Sequence, residues 1–130
     1  MIEEPRDPDV LIKPAVEGTL SVLRACRKHK VKRVVVTSSI ASILDTHPDK
    51  TPDDDVYNES HWSDPDRPAG MSAYAKSKVM AEKAAWDYVD SLPEDEKIEL
   101  TVINPGFVLG PTHVGTDFSS GKIISQMMMN

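Results

Sequence analysis

Along the chain the apolar positions change period twice, and each change marks a new element. After a polar start that contains Pro5 and Pro8, Ile12, Val16, Leu20 and Leu23 recur at steps of four, four and three, with Ala15, Val22 and Cys26 beside them. This is the spacing of one helix face, and it predicts an amphipathic helix over roughly residues 10–30. Pro14 is read as lying early in that helix, where a missing backbone donor costs least, and Gly18 as allowing close packing. The helical period then gives way to an unbroken apolar run, Val34 to Val36 within KRVVVTSS. Such a run predicts a buried parallel strand, here ending in small hydroxyls.

Residues 45–71 lose all periodicity and are rich in Asp, Pro and Ser. Connections of that length inside a compact unit are functional or disordered, and Tyr57 and Trp62 favour partial order because they give the loop something to bury. Helical spacing returns at about residues 72–92, with Ser72 as the expected N-cap and Pro93 as the stop. IELTVIN, residues 98–104, predicts a second buried strand, PGFVLGP follows it, and a last short helix is expected from about Ser119. The order helix, strand, long loop, helix, strand, helix is that of a parallel α/β sheet. Ligands of such sheets bind beyond the carboxyl ends of the strands. Thr37-Ser38-Ser39 and Asn104-Pro105-Gly106 both fall there.

Composition narrows the class of protein. A chain of 130 residues, 39% hydrophobic and 28% charged, suits one modest globular unit. It contains no run of 18 apolar residues, and MIEEPRDPDV lacks the positive start and apolar middle of a signal peptide, so a soluble, cytoplasmic protein without membrane contact is expected. A net charge of -6 argues against a nucleic-acid surface. The basic run RKHKVKR sits instead at the end of the first helix, where cations suit the negative end of the dipole. The acidic DKTPDDD reads as a solvated loop tip, since calcium loops need a more regular ligand spacing. Cys26 is the single cysteine, read as a buried thiol, and His29, His47, His61 and His113 lack zinc-site spacing. No metal is expected.

The candidate chemistry lies in SAYAKSK. Residues four apart share a helix face, so Tyr74 and Lys78 can point into one pocket. An ordinary phenol titrates near about pH 10, too high for acid–base work at neutral pH unless a cation favours the phenolate. Lys78 would supply that field. A strand-end hydroxyl would hold a substrate carbonyl while the phenol donates a proton, and Ser39 is suitably placed, with Ser38 as the competing choice. Each feature alone has an ordinary structural explanation: a helix tyrosine, a solvated lysine, hydroxyls that satisfy backbone groups, a turn.

Taken together and in order, VVVTSSIAS, NESHWSDPD, SAYAKSKVMAEKAAW and LTVINPGFVLGP resemble the extended short-chain dehydrogenase/reductases of the NAD-dependent epimerase/dehydratase superfamily. The resemblance covers nearly the whole chain. It points to the branch with dihydroflavonol reductases, cinnamoyl-CoA reductases and yeast-type aldehyde and ketone reductases. It implies a Rossmann-type doubly wound parallel sheet in which Ser39, Tyr74 and Lys78 are the catalytic set. Tyr74 and Lys78 would also meet the cofactor, with Lys78 on the nicotinamide ribose, Thr37 and Ser38 on the cofactor side of the strand end, and Pro105, Gly106, Phe107 and Val108 along the nicotinamide. NADPH is the implied cofactor, with NADH as the alternative, and the implied substrate is a small-molecule carbonyl compound. The reaction would be hydride transfer to the carbonyl carbon, with Tyr74 protonating the oxygen.

One part of that pattern is missing. None of the six glycines forms the G-x-G-x-x-G turn that holds a pyrophosphate. The resemblance therefore implies a partial Rossmann domain, its central and C-terminal part, without the N-terminal strands, the glycine-rich loop and most of the substrate lobe. Exposed apolar sheet faces, marginal stability, weak NADPH binding and inactivity of the 130 residues by themselves are the expected consequences. A nucleotide-sugar epimerase, a hydroxysteroid dehydrogenase and a non-catalytic scaffold remain the alternatives. Oligomeric state stays open, since the family often pairs subunits through the helices expected here while the reductase branch is frequently monomeric.

Overall fold

The computed structural model describes residues 5–44, 56–66, 70–110 and 119–129. Helix α1 spans Asp9–Lys28, strand β1 Arg33–Thr37, helix α2 Ala73–Asp90, strand β2 Glu99–Ile103 and helix α3 Ser119–Met129, with short 3-10 turns at Ile40–Ser42 and Glu94–Glu96. The element order is the expected one. The loop tip DKTPDDD lies outside the described residues, as do His47 and His113. No helix among the described residues is long and apolar enough to cross a membrane.

β1 and β2 pair in parallel, from Arg33 opposite Glu99 to Thr37 opposite Ile103. A parallel pair needs a crossover, and α2 supplies it. Its alanines, Ala73, Ala75, Ala81, Ala84 and Ala85, favour helix and let neighbours approach closely. α2 packs along α1 and against β2 and the Ile40–Ser42 turn. Ser72 is its N-cap, as expected, with the hydroxyl accepting from the Ala75 N–H at 3.1 Å.

The core gathers at the amino ends of the strands. Val89, Leu92 and Ile98 are buried, with Cys26, Val34, Tyr88 and Leu100 packed around them. The expectation of two buried strands is corrected here. Both strands alternate: Val34, Val36, Leu100 and Val102 are half-buried, while Val35 is 63% and Ile103 53% exposed. The reason is that the covering helix layer lies on one face only, so alternate residues meet solvent. The bare apolar face was foreseen; the expected burial of both strands is not met.

Two details of α1 also differ. The helix begins at Asp9, so Pro14 lies inside it, past the first turn, where its missing N–H removes a ladder bond to Val10. Both residues are exposed, so solvent can take the place of that donor. Val22 is exposed, whereas Leu23 is buried to 1% and anchors the helix. The helix ends without glycine. Val31 N–H donates to the Cys26 carbonyl and Lys30 N–H to the Arg27 carbonyl, a Schellman closure with Lys30 at φ 56°.

Candidate active site

The candidate residues come together because the strand pairing persists past the strand ends. Ser38 N–H donates to the Ile103 carbonyl at 2.8 Å and Ile40 N–H to the Pro105 carbonyl at 3.1 Å. The TSS and NPG segments thus leave the sheet side by side, at its carboxyl edge.

The two serines then diverge. Ser39 is extended, 8% exposed, and caps the Ile40–Ser42 turn, its Oγ accepting from the Ala41 N–H at 3.1 Å. One accepted bond uses one lone pair of a hydroxyl that also carries a donor hydrogen. Ser38 Oγ lies 3.1 Å from Ser42 Oγ. Both hydroxyls are thus engaged within the turn, Ser38 by a side chain and Ser39 by a backbone N–H. Thr37 is exposed at the end of β1.

Tyr74 stands in the first turn of α2, 53% exposed between the buried Ala73 and Ala75. One turn on, the Lys78 Nζ lies 5.7 Å from the centroid of the Tyr74 ring. The four-residue spacing thus brings an ammonium to the face of the phenol, within cation–π range. Tyr74 and Ser39 form no hydrogen bond to each other among the described residues. The packing of α2 on the Ile40–Ser42 turn brings their elements together.

Pro105 is half-buried against that turn, while Gly106, Phe107 and Val108 are exposed. A Cβ added at Gly106 would meet Ile40 Cδ1 at 3.6 Å, an ordinary contact. The residues expected along a nicotinamide thus present an apolar, open surface next to the Ser39 turn. An apolar surface there would suit the nicotinamide half of a dinucleotide. The pyrophosphate half finds no glycine-rich turn in the sequence.

Ser63 and Glu82 escaped the sequence reading, and Asn104 was placed at the strand end without a partner. Ser63, fully buried, donates through Oγ to the Ala41 carbonyl at 2.8 Å, and its N–H donates to the Ser42 carbonyl at 2.8 Å, pinning the NESHWSDPD segment to the serine turn. Asn104 and Glu82 form the second tie: Asn104 Nδ2 donates to the Ser39 carbonyl at 3.0 Å and to Glu82 Oε2 at 2.9 Å. The signal for Glu82 was a carboxylate at four-residue spacing after Lys78, on a helix face of alanines and valine. In and beside that segment Tyr57 and His61 meet edge to face at 5.5 Å and Lys83 lies 5.3 Å over the Trp62 ring. A cleft of about 700 Å³ at the other end of the molecule, between Arg24, Lys28, Tyr88 and Glu96, holds none of the candidate residues.

A parallel α/β unit with its hydroxyl, phenol and ammonium groups at the carboxyl edge defines part of a Rossmann-type fold. The chain belongs to the NAD dependent epimerase/dehydratase family, whose pattern matches residues 3–130. It is 42% identical over 109 residues to cinnamoyl-CoA reductase CAD2 of Medicago truncatula, covering 82% of this chain and 32% of that one. It is 38% identical over 114 residues to the NADPH-dependent methylglyoxal reductase GRE2 of Saccharomyces cerevisiae, covering 79% of this chain and 32% of that one. The crystal structure of Gre2 from Candida albicans in complex with NADPH superposes with a TM-score of 0.74 at 34% identity, over 95% of this chain and 40% of that chain. The chain thus spans about a third of the length of these curated relatives.

Proposed function

We propose that the chain carries the proton-donating end of an NADPH-dependent carbonyl reductase, as the central and C-terminal part of its Rossmann domain. The observation that carries this reading is the placement of the Lys78 ammonium on the Tyr74 ring, beside a turn capped by Ser39. When bound, NADPH supplies the hydride. Lys78, on the face of the phenol, stabilises the negative charge left when Tyr74 gives its proton to the carbonyl oxygen. Ser39 holds that oxygen by donating its hydroxyl hydrogen, and the exposed Phe107 and Val108 offer an apolar wall to the nicotinamide ring. Relatives named as cinnamoyl-CoA and methylglyoxal reductases support an aldehyde, ketone or thioester carbonyl as the substrate class.

The test follows NADPH consumption in the presence of a panel of aldehydes and ketones, with NADPH affinity measured by titration calorimetry. The 130 residues by themselves are expected to bind NADPH weakly and to show no turnover, and the same residues within a chain that includes a glycine-rich turn to turn over fast. Tyr74→Phe should then lower the rate by about 10²- to 10⁴-fold while NADPH affinity changes little. Unchanged turnover in Tyr74→Phe would remove the phenol from this role.

A further inference from the structure

The geometry points to Asn104 and Glu82 as a positioning pair that locks the Ser39 turn to the helix bearing Tyr74 and Lys78, an inference that rests on the reductase reading above. Glu82 is 6% exposed, an unusual place for a carboxylate unless a donor meets it. Asn104 is that donor. Its amide nitrogen has two hydrogens and faces two acceptor oxygens, Glu82 Oε2 at 2.9 Å and the Ser39 carbonyl at 3.0 Å. Turning the amide over would aim its own oxygen at both, so the partners fix its orientation.

The consequence is a three-way junction. Tyr74, Lys78 and Glu82 follow one another at four-residue steps along α2, on one stripe of the helix. Glu82 forms no ion pair with Lys78 among the described residues and bonds across to β2's end instead. The stripe that presents the phenol and ammonium is thereby tied, through one amide, to the residue whose hydroxyl would hold the substrate oxygen. Backbone bonds from Ser38 to Ile103 and from Ile40 to Pro105 keep the strand register without it. What the amide adds is the placement of the Ser39 turn relative to α2. Neither side chain touches reacting atoms; both act through Ser39.

A donor–acceptor exchange separates positioning from simple stability. Asn104→Asp sets an acceptor against two acceptors; combining it with Glu82→Gln restores a donor between helix and strand but leaves the Ser39 carbonyl facing an oxygen. The readouts are thermal unfolding, amide hydrogen exchange at Ile40 and Ala41, and kcat against KM for NADPH. Glu82→Gln alone should keep exchange and kcat within about threefold of the parent, since its amide oxygen still accepts. Asn104→Asp should lose stability, raise exchange at Ile40 and Ala41, and lower kcat by about 10- to 100-fold with KM for NADPH nearly unchanged. The double variant should regain stability while exchange at the turn stays raised and kcat stays low. Recovery of kcat together with stability would overturn the proposal, as would unchanged exchange in Asn104→Asp. No turnover by these residues within a chain that includes a glycine-rich turn would sink the reductase reading alone, because exchange at Ile40 and Ala41 still decides whether the pair holds the turn.

Discussion

The two ends of the β1–β2 pair are held by different forces. At the amino end Val89, Leu92 and Ile98 pack with Cys26, Val34 and Leu100, a core maintained by burial, which is strong but has little directional preference. Toward the carboxyl end lie the buried polar side chains Ser39, Ser42, Ser63, Ser77 and Glu82, next to the small buried Ala73 and Ala75, and the polar groups make hydrogen bonds with definite partners. An apolar core tolerates small shifts; a hydrogen-bonded edge does not, since angle and distance decide each bond. The division places rigidity of direction at the edge that carries the proposed proton donor, and bulk cohesion at the opposite edge.

Substitutions can break or sharpen that contrast. The largest effect on stability is expected from Ile98→Ala, which empties part of the apolar end and should cost about 2–5 kcal/mol in chemical denaturation, with local order at the serine turn following only global unfolding. Ser63→Ala acts at the other end. It removes a hydrogen bond to the half-buried Ala41 carbonyl and should cost about 0.5–1.5 kcal/mol. Its exchange signature should be confined to Ala41–Ser42 and the NESHWSDPD segment; a uniform rise across α1 and α2 would erase the contrast. Lys30→Gly should stabilise the closed end by about 0.5–1 kcal/mol, because a left-handed residue with a Cβ closes α1. Its catalytic parameters should not move. The smallest change belongs to Val35→Thr on the bare face, where denaturation midpoints should give a difference within about 0.5 kcal/mol. A cost several times larger would show that this face is covered in solution.

The sequence and the structure agree most where a local rule governs. Ser72 announces its helix because a hydroxyl at an N-cap meets an orphan N–H whatever surrounds it. Tyr74 and Lys78 were legible for a similar reason, since a helix repeats every 3.6 residues. Val34 to Val36 misled because an apolar run reports what a strand could bury, while actual burial depends on which layers cover it. Lys30 gave no sign of closing α1, since glycine is the usual mark of that conformation.

By itself the sequence determined the element order, the parallel α/β class, the pairing of Tyr74 with Lys78, and the family resemblance, because periodicity, capping and motif spacing act over a few residues. Only the tertiary structure decided which serine is engaged by Ser42, that Ser63 clips its loop to the serine turn, and that Asn104 joins Ser39 to Glu82. Those partners stand 22 residues apart in the Ser63–Ala41 and Asn104–Glu82 ties and 65 apart in Asn104–Ser39. Hydrogen bonds across such separations exist only once the crossover has laid α2 over the strands, and no local pattern encodes them.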